Sequence, residues 1–217
     1  MSKAIKLVIF DLDGTLVDAY QAVSDSVNHA LKCCGLQAVD DYTIKRSVGW
    51  GERVLLEKLV GQDHVDQVLG VYQDHHKEAL SSGTTFLAGA KDLLDYLKQE
   101  EYLIGLATNR PSYFTHIILR HLAIDPYFDK VICADELDHP KPAPDMLEEI
   151  LNAVAISSDE AVYVGDMTID VETGKRAGVR TISVITGSST QDEIAALRPY
   201  AMVDSLDQIK GILKQSK

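Results

Sequence analysis

Three cysteines in 217 residues, an odd number with no C-x-x-C spacing, supply neither a disulfide framework nor a zinc pattern. Cys33 and Cys34 are neighbours on a predicted helix, so their side chains diverge; they read as buried free thiols suited to a reducing cytosol. No apolar run approaches the roughly 18–20 residues of a membrane span. The short apolar-rich stretch at 6–10 stops at Asp11 and is too brief for the core of a signal peptide, so a cytoplasmic setting without membrane contact is expected. A basic cluster is lacking as well: 21 Lys and Arg stand against 33 Asp and Glu, a net charge of −12. That excludes a nucleic-acid binder, whose affinity rests on Lys and Arg displacing counterions. An anionic substrate would need its own local positive charge. Repeats, low-complexity tracts and charged tails are absent too, and 46% apolar with 25% charged residues excludes the disordered and fibrous classes.

What is present is a rhythm. Short apolar runs at 6–10, 103–107, 130–134, 161–164 and 180–185 read as buried strands. Helical patterns lie between the later ones, at 90–100, 112–121, 144–154 and 169–177. Pro111 and Pro144 fit first-turn positions, and Gly178 fits a helix stop. This alternation predicts an α/β fold with a doubly wound, Rossmann-like parallel sheet. From Leu16 to about Ser82 the rhythm breaks. That stretch reads as helical throughout, at 19–34, 41–47, 52–60 and 64–81, with no convincing strand. The expectation is a helical domain at 16–82 inserted into a core made of 1–15 and 83–217, with Ser81-Ser82-Gly83 as the return hinge.

Four motifs carry chemistry. In Asp11-Leu12-Asp13-Gly14-Thr15, directly after the first strand, residues two apart share a face, so both carboxylates can look into one crevice. Acids that close repel unless a cation lies between them, and oxygen donors suit a hard ion such as Mg²⁺. Thr108-Asn109-Arg110 follows the second core strand and precedes a helix, a place that favours anions. Lys141 stands between Pro140 and Pro142, which restrict the backbone and aim a long cation. Gly165-Asp166-Met167-Thr168-Ile169-Asp170 sets Asp166 at a strand end and Asp170 one helical turn later. Each motif alone also reads as an ordinary helix cap or turn. All four, however, fall just beyond the C-terminal ends of successive strands, the edge of an open α/β sheet where ligands bind. Jointly they read as one site.

The order Asp-x-Asp-Gly-Thr, Thr, Lys, Gly-Asp-x-x-x-Asp resembles the haloacid dehalogenase-like phosphatases. Thr-Asn-Arg, Lys-Pro-Ala-Pro and Gly49-Trp50-Gly51 most resemble their phosphoglycolate phosphatase-like branch, and the inserted helices look like that family's cap. Met167 departs from the pattern, since many relatives carry a small hydroxyl residue there. The resemblance implies Asp11 as nucleophile and Asp13 as acid and base. It implies Mg²⁺ on Asp11, Asp13 and Asp166, phosphoryl oxygens held by Thr108, Asn109 and Lys141, and Thr15 and Asp170 in support. Asp13 and Asp166 together disfavour dehalogenation. A sugar phosphomutase, an inorganic pyrophosphatase and a non-catalytic phosphate-binding module stay open. The expected partner is a small phosphorylated metabolite such as 2-phosphoglycolate, and the expected state a monomer or homodimer. Specificity would come from Arg46, Gly49, Trp50, Arg53 and Arg110, with Lys45 nearby; a basic group there could meet a substrate carboxylate. His75 and His76 read as surface residues, with Asp74 beside them as a remote metal option.

Overall fold

The computed structural model describes residues 3–215. The chain enters through β1 (Leu7–Phe10) and β2 (Val17–Asp18). Four helices follow: α1 (Tyr20–Cys33), α2 (Asp41–Ser47), α3 (Glu52–Val60) and α4 (Gln62–Gly83). It then runs β3 (Thr85–Phe86), α5 (Ala90–Gln99), β4 (Leu103–Thr108), α6 (Ser112–His121), β5 (Lys130–Cys133), α7 (Asp145–Ala153) and β6 (Ala161–Gly165). It ends with α8 (Thr168–Ala177), β7 (Arg180–Val184), α9 (Gln191–Ala196), β8 (Ala201–Val203) and α10 (Asp207–Lys214).

Six strands form one parallel sheet in the order β5-β4-β1-β6-β7-β8, an α/β doubly wound architecture. β1 is central because all four of its side chains are apolar and both of its faces are covered. The period of two divides it. Val8 and Phe10 face one core, with Leu93, Leu94 and Leu97 of α5 and Ile118 of α6. Leu7 and Ile9 face the other, with Met146, Leu147 and Ile150 of α7. The helices between β2 and β3 have an apolar cluster of their own. Val23, Val27 and Leu31 of α1 meet Ile44 of α2, Leu56 of α3, and Val65, Val68 and Tyr72 of α4, spacings that line one helical face.

Two expectations needed correction here. Val17–Asp18 pairs antiparallel with Thr85–Phe86, a short ribbon in a stretch read as free of strands. Two residues are too few to display a period of two, so the pattern was silent. The return hinge is also displaced: α4 continues through Ser81, Ser82 and Gly83, and extended backbone begins at Thr84. Gly83 serves close packing, because a Cβ there would meet the Cβ of Ala22 at 3.1 Å. β8, α9 and α10 lie beyond the last strand that the sequence suggested.

Leu56 is fully buried in the helical cluster. Leu56→Ala is expected to cost about 2–5 kcal/mol, from lost burial and the cavity left behind. Urea unfolding checks this, and a midpoint equal to that of wild type would contradict the packing described.

Candidate active site

The sheet brings four loops to one edge. Asp11 follows β1 at the centre, Thr108 closes β4 on one side, Asp166 follows β6 on the other, and Lys141 lies in the loop between β5 and α7. Asp11, Thr108, Lys141 and Asp166 are all buried. Gly14 adopts φ +79°, which lets the chain turn away after Asp13, and a Cβ there would collide with the Asp166 carboxylate.

Lys141 is the cation of this edge. Its Nζ lies 2.8 Å from Asp11 Oδ1, 2.8 Å from Asp170 Oδ1 and 3.0 Å from the Tyr163 hydroxyl, which uses all three ammonium donors. Tyr163 in turn donates to Asp170 Oδ1 at 2.7 Å, and the Met167 N–H donates to Asp170 Oδ2 at 3.0 Å. Both oxygens of Asp170 are thereby engaged. Asp166 accepts from the Thr15 hydroxyl at 2.8 Å and from the Ser188 N–H at 3.3 Å. Burial would lower the Lys141 pKa, but Asp11 and Asp170 hold it above its usual value. Burial raises Asp11 from 3.8 to about 7, against the pull of Lys141 and with the push of Asp170. Burial, with Asp170 and Asp11 beside it, also drives Asp166 well above the carboxylate range.

Carboxylate oxygens of Asp11, Asp166 and Asp170 lie within 4.8 Å of one another. Asp170 already accepts three hydrogen bonds, against two for Asp166 and one for Asp11, so Asp11 and Asp166 keep the greater capacity for a ligand. Two buried acids, both displaced toward protonation by burial and by neighbouring carboxylates, form a donor set that a divalent cation fits.

Across from them, Asp13 is held by Arg110. The guanidinium donates from Nε to Asp13 Oδ2 at 2.8 Å and from Nη2 to Oδ1 at 2.9 Å, a bidentate and largely buried pair. Its Nη1 donates to His76 Nε2 at 2.9 Å. That fixes the tautomer, so His76 donates from Nδ1 to Ser26 Oγ at 3.0 Å, and Ser26 donates to the Ala22 carbonyl at 2.6 Å. A polar chain therefore runs from α1 and α4 to Asp13. His76 is fully buried between Tyr72 and Phe114, not on the surface as the sequence suggested. Burial first, and Arg110 second, lower its pKa to about 2. Its helical position 76 matches the apolar face of Val65, Val68 and Tyr72, a signal outweighed by its polarity. The thiols differ from expectation in the opposite direction: Cys33 is exposed and Cys34 half-buried, and only Cys133 is buried.

The other expected residues divide. The Thr108 hydroxyl accepts from the Arg110 N–H at 3.1 Å and keeps its own proton to donate. The Asn109 amide instead spends both donors on the Gly49 and Lys141 carbonyls, at 3.0 and 3.1 Å, and accepts from the Lys141 N–H at 3.0 Å. Its side chain organises the loop and joins it to the helical segment, rather than facing a ligand. Gly49 lies against Met167, which occupies the space a side chain would need. Trp50 is partly exposed under Lys58. Neither arginine of the basic stretch lines the cavity beside Asp11. Arg46 binds Glu193 at 2.7 Å and the Ser188 carbonyl, and Arg53 is exposed with Asp66 at 2.8 Å. Both are drawn outward by nearer acids. The cavity, lined by Asp11, Asp13, Thr108, Lys141, Arg110 and Glu52 among others, holds about 50 Å³, room for a few waters. Tyr163, Ser26 and Glu52 were not anticipated. Only Tyr163 left a trace, as the one polar-tipped residue in an aliphatic strand.

Residues 8–184 match the model of the family described as haloacid dehalogenase-like hydrolase. Among curated relatives, a phosphoglycolate phosphatase of Rhodospirillum rubrum is 32% identical, covering 92% of this chain and 87% of that one. Another, of Mesorhizobium japonicum, is 28% identical over 94% of this chain and 92% of its own. A crystal structure described as a predicted phosphoglycolate phosphatase from Haemophilus somnus superposes with TM-score 0.92 at 25% identity, covering 96% of this chain and 97% of that one.

Unfolded, Asp11 titrates at about 3.9. Folded and free of divalent cation, it titrates near 7, so the folded state binds this proton more tightly. The stability it contributes is fullest below about pH 4 and is lost as pH rises through about 7. In chelator, the stability of Asp11→Asn relative to wild type is therefore expected to grow from pH 4 to pH 7. Denaturant midpoints that keep a constant difference across that window would contradict the burial described.

Proposed function

This chain belongs to the haloacid dehalogenase-like hydrolases, and we propose that it is a Mg²⁺-dependent phosphatase that hydrolyses a small phosphomonoester through an aspartyl-phosphate on Asp11. The observation that carries this reading is the buried Lys141 bonded to Asp11 Oδ1, with Asp13 and Thr108 lining the same cavity. The names of the relatives support it, and 2-phosphoglycolate is the reference substrate they supply.

Mg²⁺ would be held by the Asp11 and Asp166 carboxylates and the Asp13 main-chain carbonyl, and when bound it screens the charge of an anion attacked by an anion. The chain's own residues do the rest. An oxygen of Asp11 bonds to phosphorus while the ester P–O bond breaks. Asp13 gives a proton to the departing alkoxide, then takes one from the water that splits the Asp11–phosphorus bond. Lys141 and the free Thr108 hydroxyl proton bind phosphoryl oxygens, fixed donors in a site without bulk water. Arg110 holds both Asp13 oxygens in this state, so Asp13 acts once that grip is exchanged for the leaving group.

Residues 16–82 act as a cap over core residues 1–15 and 83–217. A cavity of about 50 Å³ is too small for an organic phosphate, so the cap opens for entry and closes for chemistry. Its seam with the core carries polar contacts, Asn109 to Gly49, Arg110 to His76 and Arg46 to Glu193, beside apolar ones, with Ala22 and Leu80 in the core's own cluster and His76 edge-on to Phe114.

Purified protein is expected to hydrolyse p-nitrophenyl phosphate with Mg²⁺, to lose that activity in chelator, and to regain it on Mg²⁺ addition. Asp11→Asn is expected to reduce kcat by at least about 10³-fold. Activity that survives both treatments would overturn the reading.

A further inference from the structure

The cavity wall that faces Asp11 and Asp13 has one unexpected member. From the helical side it is built of Val23, Val48, Leu55 and Tyr72, two glycines and a single charged residue, Glu52. No lysine or arginine of the helices lines it. Its two cations, Arg110 and Lys141, come from the core and are engaged, Arg110 with Asp13 and His76, Lys141 with Asp11, Asp170 and Tyr163. A substrate carboxylate entering here would meet the like charge of Glu52 on the helical wall, and would gain Arg110 only after that residue lets go of Asp13.

Glu52 is held rather than loose. Its Oε1 accepts from Gln73 Nε2 on α4, which fixes the side chain. Its Oε2 is buried and has no hydrogen-bond partner. A buried acceptor left unpaired costs about 1–3 kcal/mol, and more when charged, so native structures supply a donor. Glu52 lines the cavity beside Asp11 and Asp13, and on its other side a second pocket with Gln73, Lys77 and Tyr113.

We propose that Glu52 reads the leaving group of the substrate. Its free oxygen accepts a hydrogen bond from a hydroxyl or ammonium group on the alcohol half of the ester. The substrate class is then the phosphomonoesters of short polyols or amino alcohols, in preference to carboxylate esters such as 2-phosphoglycolate. Val23, Leu55 and Tyr72 line the same wall and would face the carbon chain of that alcohol. This assignment rests on the phosphatase reading and specifies its substrate.

The test compares kcat/KM for glycerol 2-phosphate, phosphoethanolamine and 2-phosphoglycolate, with p-nitrophenyl phosphate as a reference for activity, in wild type and Glu52→Ala. All substrates are measured with Mg²⁺ on the same preparation, so any loss of folded protein cancels in the ratios. Wild type is expected to prefer the better of the two donor esters over 2-phosphoglycolate by about 10–100-fold, the range of a hydrogen bond to a charged group. Whether glycerol 2-phosphate or phosphoethanolamine is the better one distinguishes hydroxyl from ammonium. Glu52→Ala is expected to reduce that preference at least about tenfold, and Glu52→Lys to turn it toward 2-phosphoglycolate. Hydrolysis with 2-phosphoglycolate preferred, or with a ratio that Glu52→Ala does not move, overturns this inference alone. Failure of wild type on all four substrates overturns the phosphatase reading with it.

Discussion

One ammonium group between two buried carboxylates organises this protein. Lys141 Nζ touches Asp11 and Asp170 at 2.8 Å each, and all three residues are buried. Leaving either acid there without the lysine would strand a buried charge, at a cost of about 3–5 kcal/mol. The surroundings follow from that constraint. Tyr163 fills the remaining ammonium donor, the Met167 N–H fills Asp170, and Asn109 fastens the backbone of Lys141 from both sides. Even so, Asp11 and Asp166 remain pushed toward protonation, an imbalance that a divalent cation is suited to correct.

The second constraint is the seam between core and helices. Most of the helices' apolar residues form a cluster of their own, and they meet the site through hydrogen bonds and ion pairs, with Ala22 and Leu80 packed into the core cluster beside them. The His76–Arg110–Asp13 chain links the seam to the site, because contact with the helices and the orientation of Asp13 share one guanidinium.

Strand positions in the core and the four motifs were legible because they rest on local patterns: continuous apolar runs, prolines beside a lysine, and acids at strand ends. The sites of Asp11, Asp13, Lys141 and Asp166 can be read that way. What was not legible depends on partners distant in sequence. Arg110 is an exposed-type residue until Asp13, 97 positions earlier, folds against it. His76 is polar in composition and apolar in position, and only Tyr72, Phe114 and Arg110 together make burial tolerable. Arg46 and Arg53 looked like ligands for an anion because their acidic partners, Glu193 and Asp66, could not be assigned from spacing. Glu52 was invisible for the same reason: an acid at a helix start is ordinary, and its buried oxygen is a product of tertiary structure.

The central claim is that the lysine-held carboxylate accepts the phosphoryl group itself. With Asp13 replaced by Asn, attack can proceed while water activation fails, so the covalent species should accumulate. The decisive measurement is peptide mass analysis of Asp13→Asn quenched in acid during turnover of p-nitrophenyl phosphate. The account predicts one phosphoryl group, carried on Asp11. A phosphoryl group on any other residue, or none on an Asp13→Asn protein that still releases p-nitrophenol in an initial burst, would contradict it.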